Sequence, residues 1–373
     1  MIGAQATGTV RKIRSIEGLR GLLALWVLFG HTLAAAGLGE DWRGPFRILA
    51  TGGYAVEVFI AVSGFVIFYL LDGARESYGR FLVRRFLRLY PVYFVCLIAS
   101  VLILRLDLQA YTDAPFSHPL NDHRIEIAQH SLDFLPQQLL AHIFMVQSLI
   151  PDFLLPNSNY AILGQAWSLS LEWQFYVLAP LLFVFLARGG RAALAVIVLV
   201  CAAHFLFTGN EGFLPRHLPF FALGTGSYFL WRLPWRPSSP LLAPVVVALA
   251  YLLTAGPGIV IWSAVFMAAY QREAIGATWV NPVLEHPISL AVGRISYSIY
   301  LSHGMVLAGS MLCLERMNAS AFGRWPFFVL LFPVTLSGTL ALSWALYQWI
   351  EAPFIALGKR QGRALRPTPQ TVP

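Results

Sequence analysis

Charge is scarce in this chain. Of its 373 residues only 12% are Asp, Glu, Lys or Arg, while 57% are hydrophobic and the mean hydropathy is +0.65. A water-soluble domain carries about 25% charged residues, so the composition excludes one and points to an all-α, polytopic integral membrane protein. Cysteine is scarcer still: Cys96, Cys201 and Cys313 lie in or beside apolar runs without metal-type spacing. That pattern supports neither a disulfide framework nor a metal site, and it makes the three thiols packing residues. A concentrated basic domain is also missing. The formal net charge of +8 is spread over short segments between apolar runs, which reads as topology information and not as a nucleic-acid surface. No internal repeat and no separate soluble domain stands out.

The N-terminus imitates a cleavable signal peptide, with Arg11, Lys12 and Arg14 ahead of an apolar core and "LAAAG" after His31. Glu17 and Arg20 interrupt that core and many apolar runs follow, so the stretch reads as an uncleaved first transmembrane helix. A helix needs about 20 mostly apolar residues to cross the hydrocarbon core. Ten candidate spans satisfy this, the sixth to eighth being short or broken by Gly and Pro: 16–38, 52–71, 87–104, 166–187, 192–208, 217–231, 241–254, 258–271, 290–312 and 326–350. Residues 1–15 then form an N-terminal segment, 16–355 a membrane domain and 356–373 a basic, Pro-rich tail beside anionic lipid headgroups. With both termini in the cytoplasm, 18 of the 26 Lys and Arg side chains fall on that side and seven on the other, Arg20 lying within the first span. The positive-inside rule favours this orientation and an even number of spans. The loop 105–165 would face outward, its stretch "QQLLAHIFMVQSLI" lying in the interface or re-entering.

Ionisable groups inside spans are costly and are functional candidates by default. Arg20 and His31 are eleven residues apart, which brings them within roughly 20° on one helical face and about 16 Å apart along it. Glu17 stands one turn before Arg20, placed to pair with it. A lone histidine in an apolar helix more often makes a structural hydrogen bond than performs chemistry. Here two further spans carry an ionisable group to similar depth: Glu172 in "AWSLSLEWQFYVLAP" and His303 in "GRISYSIYLSHGM", with Tyr297 and Tyr300 nearby. That convergence favours a buried polar site over a structural network. At the opposite face, "GRFLVRRFLRLYP" brings Arg80, Arg84, Arg85 and Arg88 to the mouth of the third span. Arg85 and Arg88, one turn apart, can point at one phosphate; charge alone equally allows a topogenic loop.

Four stretches in order, "IEGLRGLLALWVLFGH", "RRFLRLYP", "WSLSLEWQFYVLAP" and "GRISYSIYLSH", resemble the acyltransferase family 3 of integral membrane acyltransferases over nearly the whole chain. Arg20 and His31 match its Arg, ten residues, His pattern, Arg85 and Arg88 its Arg-x-x-Arg pattern. The late "WIEAP", with Glu351 and Pro353, resembles its C-terminal end. The resemblance implies transfer of an acyl group, usually acetyl, from cytoplasmic acyl-CoA to a hydroxyl of an extracytoplasmic glycan or lipid-linked glycan, such as exopolysaccharide or lipopolysaccharide O-antigen. It implies a bacterial inner membrane and acyl-CoA as the donor, with no metal. Some similar proteins acylate macrolides, and several carry an SGNH hydrolase-like domain, which is not expected here because the sequence stops at 373. On this reading His31 is the general base, Glu172 or His303 orients it or the acceptor, Arg20 with Glu17 organises the inner channel, and Arg85 and Arg88 hold CoA phosphates. A transporter or flippase is the rival, since it too places ionisable groups in a wet bundle interior.

Overall fold

The computed structural model describes residues 13–74, 76–206, 210–233, 242, 245–249, 256–272 and 276–363. Among them all regular structure is helical and no strand occurs. Apolar runs in a hydrocarbon solvent leave a backbone no alternative but to satisfy its N–H and C=O groups within each segment. In chain order the helices are α1 Arg14–Ala35, α2 Pro45–Ala50, α3 Gly53–Ala74, α4 Tyr78–Thr112, α5 Pro119–Asp133, α6 Leu135–Ile143, α7 Trp167–Arg188, α8 Gly190–Leu206 and α9 Leu214–Arg232. They continue with α10 Pro257–Tyr270, α11 Ala277–Leu284, α12 Pro287–Arg316, α13 Arg324–Leu346 and α14 Ala352–Arg363. Among the described residues six stretches are long and apolar enough to cross a membrane: α1, α3, α4, α7, α12 and the run from α13 into α14. The apolar helices α8 and α10 are shorter.

The chain is a multi-pass membrane protein, and its surface says so. Leu102, Leu199 and Val329 stand exposed on α4, α8 and α13, whereas Ser298, Ser302, His303, Thr335 and Glu351 are buried. Apolar side chains outside and polar ones inside is the arrangement that lipid selects.

Most expected spans sit within a few residues of a helix, and two readings of the sequence need correction. The third span was expected from Leu87, but α4 begins at Tyr78. Arg80, Arg84, Arg85 and Arg88 therefore lie on a continuous helix, because long arginine stems can follow it while their guanidinium groups reach polar space. The stretch 105–165 is also not a loop. After α4 ends it folds into α5 and α6, and "QQLLAHIFMVQSLI" turns one face inward, with Gln138, His142 and Gln147 wholly buried, while Leu140, Phe144 and Leu149 stand exposed. The Tyr93 hydroxyl donates to the His142 carbonyl at 2.7 Å and that of Tyr90 to the Ile143 carbonyl at 2.9 Å, so α4 satisfies the end of α6. The seventh expected span, 241–254, falls largely outside the described residues, as do 1–12 and 364–373.

The site depends on one close helix crossing. α1 packs chiefly on α12, and their backbones touch at Gly21 and Gly293. A Cβ on Gly21 would meet the Gly293 nitrogen at 2.6 Å, and one on Gly293 would overlap the Glu17 carbonyl. Small residues at such a crossing let dispersion and polar contacts replace the hydrophobic drive that lipid removes.

Candidate active site

His31 on α1 and His303 on α12 meet across this crossing. Their rings are stacked with centroids 5.1 Å apart, and His31 Nδ1 lies 2.9 Å from His303 Nε2. The proton positions follow from the third partner. His303 Nδ1 is 2.8 Å from the Tyr300 carbonyl oxygen one turn earlier, and a carbonyl only accepts, so Nδ1 carries hydrogen. With both rings neutral, His303 Nε2 accepts from His31 Nδ1–H, and the lone pair of His31 is left on Nε2. A hydrogen bond at one ring nitrogen fixes the tautomer and leaves the other nitrogen able to accept a proton.

Glu172 is not part of that contact. Its Oε1 accepts from Ser63 Oγ at 2.9 Å and from the Tyr176 hydroxyl. It faces a cavity of about 120 Å³ bounded by α1, α3, α4, α7, α9 and α12, which Arg20, Arg85, Arg88, Tyr297 and Tyr300 also line. Arg20 stands there in the field of Glu172, Glu351 and Arg88. Tyr300 joins the cavity to the histidines: its hydroxyl is 2.8 Å from Ser168 Oγ, and its ring centroid is 6.2 Å from that of His303. The sequence thus placed three ionisable groups at similar depth; the structure brings two into contact and puts the third beside Arg20.

A second cavity of about 320 Å³ shares Arg20, Val66, Arg85 and Arg88 with the first. It adds Arg84, Arg294 and Lys359, with Glu17 as its one carboxylate. Six cationic side chains line this void, two of them held by carboxylates outside its lining, Arg84 by Glu76 at 2.6 Å and Arg88 by Glu351; guanidinium forks of this kind suit anions. The two arginines of the Arg-x-x-Arg pattern differ in occupation. Arg88 is engaged by Glu351, whose buried carboxylate also accepts from Ser298 Oγ at 2.8 Å. Arg85 has no carboxylate partner among the described residues; it lies 5.5 Å from the Phe81 ring centroid and 5.7 Å from that of Tyr176, and its buried Nε is unpaired. Tyr297 backs Arg88, its ring centroid 5.8 Å from the guanidinium and its hydroxyl donating to the Leu89 carbonyl at 2.6 Å. Glu351 ends a π-helical turn, Tyr347–Glu351, a distortion that often marks functional positions in helices.

Sequence reasoning missed Tyr176, Ser63, Arg294 and Lys359. Tyr176 was findable, since it lies one turn beyond Glu172. Arg294 and Lys359 are separated from the motif by most of the chain, and only packing brings them to it.

The whole-chain comparisons agree with this architecture. A family model described as an acyltransferase domain matches residues 13–344. The chain is 25% identical to Acyltransferase MdmB of Streptomyces mycarofaciens over 97% of each chain, and 24% identical to Nodulation protein 10 of Rhizobium leguminosarum bv. viciae over 91% of this chain and 92% of that one. It is 26% identical to the O-acetyl transferase of Shigella phage Sf6 over 51% of each. No solved structure matches. An acyltransferase, and not a transporter, accounts for these matches, and the chain belongs to this family of membrane-embedded acyl-transferring enzymes.

Proposed function

We propose that this enzyme moves an acyl group, acetyl in the first instance, from cytoplasmic acyl-CoA to a hydroxyl of an extracytoplasmic bacterial glycan, and that His31 is its base. The observation that carries the reading is the His31–His303 contact, which leaves a lone pair on His31 Nε2. An alcohol is a poor nucleophile near neutral pH until a base takes its proton. His31 Nε2 accepts the hydroxyl proton as the oxygen attacks the thioester carbonyl. The carbon–sulfur bond then breaks, and the sulfur leaves as CoA thiol with the proton returned by the imidazolium. His303 steadies that imidazolium by accepting the His31 Nδ1–H at its Nε2.

The donor's phosphates fit the six-cation cavity, where Arg84, Arg85, Arg294 and Lys359 would hold them beside Arg20 and Arg88. The acyl arm would pass Arg20 into the cavity of Glu172 and Tyr176. On this reading the Arg20 end of α1 faces the cytoplasm and both termini lie on the cytoplasmic side of a bacterial inner membrane, in keeping with the distribution of Lys and Arg.

The test is direct. His31→Ala, produced in membranes at the wild-type level, abolishes acylation of surface glycan, read by mass spectrometry as loss of the one-acyl increment. Full acylation in that variant removes His31 from the reaction.

A further inference from the structure

A third recess lies beside the histidine pair and takes no part in the scheme above. It measures about 20 Å³ and is lined by Asp107 from α4, Arg124 from α5, Gln165 in the short turn before α7 and Gly304 from α12, with Ser100 and Tyr111. Gly304 follows His303 directly, and the Arg124 charge acts on both His303 and His31. Three observations show that the recess is built. Arg124 rests on the Gly164 backbone, where a Cβ would overlap Nη1. Gln165 Nε2 donates to the Leu301 carbonyl at 2.6 Å, which fixes the amide and leaves its carbonyl oxygen to accept. Asp107 and Arg124 face the same void and lie in each other's field, without a direct hydrogen bond or close ion pair between them among the described residues.

A carboxylate and a guanidinium that face each other across a void without touching keep hydrogen-bonding capacity for a group between them. Their charges cancel, so the recess suits neither a phosphate nor a free cation. What it offers is a guanidinium to donate, a carboxylate to accept and an amide oxygen to accept, the complement of neighbouring hydroxyls on a neutral sugar. Its volume holds one water-sized group, hence one hydroxyl of a larger ligand. We infer that Asp107, Arg124 and Gln165 form the acceptor subsite, gripping one hydroxyl of a neutral glycan so that its neighbour reaches His31. The inference rests on the proposed transfer to a glycan at His31; Asp107 and Arg124 are positioning residues in it.

The experiment uses the full chain in lipid nanodiscs, acetyl-CoA as donor, and surface polysaccharide of the source cell, de-esterified with mild alkali, as acceptor. Asp107→Asn and Arg124→Gln are expected to raise the KM for polysaccharide at least tenfold while the KM for acetyl-CoA stays within twofold. Arg124→Lys, which keeps the charge and loses the fork, recovers part of the affinity. Gly164→Ala, which displaces the guanidinium and leaves it in the chain, shifts acceptor KM in the same direction. Unchanged acceptor KM in Asp107→Asn and Arg124→Gln overturns the subsite, and so does a parallel rise in both KM values, which marks a structural role. Wild-type enzyme that transfers no acetyl group to the polysaccharide overturns the glycan reading itself, and the subsite with it.

Discussion

The two arginines of one short motif face different fates on mutation. Arg88 is the partner of Glu351, whose side chain is fully buried. Arg88→Ala strands that carboxylate, and removing one member of a buried pair costs about 3–5 kcal/mol. A marked fall in the melting temperature of the detergent-solubilised protein is expected. Arg85 has aromatic neighbours and no carboxylate, so Arg85→Ala weakens acyl-CoA binding with a smaller change in melting temperature. Replacing both together confounds donor binding with folding. His303 offers a second residue-level check. When His31 gains a proton its bond to His303 becomes charge-assisted, worth about 1.5–3 kcal/mol, or roughly 10- to 100-fold in rate. His303→Ala should lower kcat by that factor and leave the KM for acetyl-CoA unchanged, with His303→Gln, whose side-chain oxygen can still accept from His31 Nδ1, recovering part of it. A matching change in KM would place His303 in donor binding instead.

At the scale of elements, the crossing of α1 and α12 governs the histidine contact. Gly293→Ala drives a methyl into the Glu17 carbonyl and should lower both thermal stability and turnover. Gly309 lies on the same helix with open space around it, so Gly309→Ala should be neutral or stabilising by up to about 1 kcal/mol. Equal loss in the two variants would deny the crossing its special role. The short helix α6 carries a pH dependence. Burial pushes His142 down to about 4 from 6.5, and its Nδ1 is 2.8 Å from the Gln138 carbonyl oxygen. Between those values the unfolded chain binds a proton that the folded one refuses, so stability is complete above about 6.5 and falls as pH drops toward 4, by about 3 kcal/mol in all. Melting temperatures across that range should show this slope, and His142→Asn should flatten it.

Across the whole molecule the proposed orientation makes a prediction that needs no assay of activity. A green fluorescent protein fused after residue 363 should fluoresce and an alkaline phosphatase fused there should be inactive, since only the first folds in the cytoplasm. The reverse result would invert the direction assigned to donor and acceptor. Much of the architecture was legible beforehand. The first two spans, the fourth and the ninth coincide with α1, α3, α7 and α12 to within a few residues, because long apolar runs in lipid admit one backbone solution. The length of α4 and the helices within 105–165 were not legible. Arginines and histidines lower the hydropathy of stretches that are nonetheless helical when their polar groups find cavities or buried partners, as His142 and Arg88 do.

Sequence alone determined the solvent, the helical class and the pairing of Arg20 with His31 on one face, for these depend on composition and on the 3.6-residue period, which are local properties. It also determined that Glu172 and His303 sit inside spans. Which of them reaches His31 was a tertiary decision, made where Gly21 and Gly293 let two backbones close and bring His303 to His31 while Glu172 turns to Ser63 and Tyr176. The six cations around one cavity, and Asp107 with Arg124 in another, were decided in the same way. Contacts between helices depend on which faces pack and how closely, and that register is a property of the assembled bundle and of no single stretch within it.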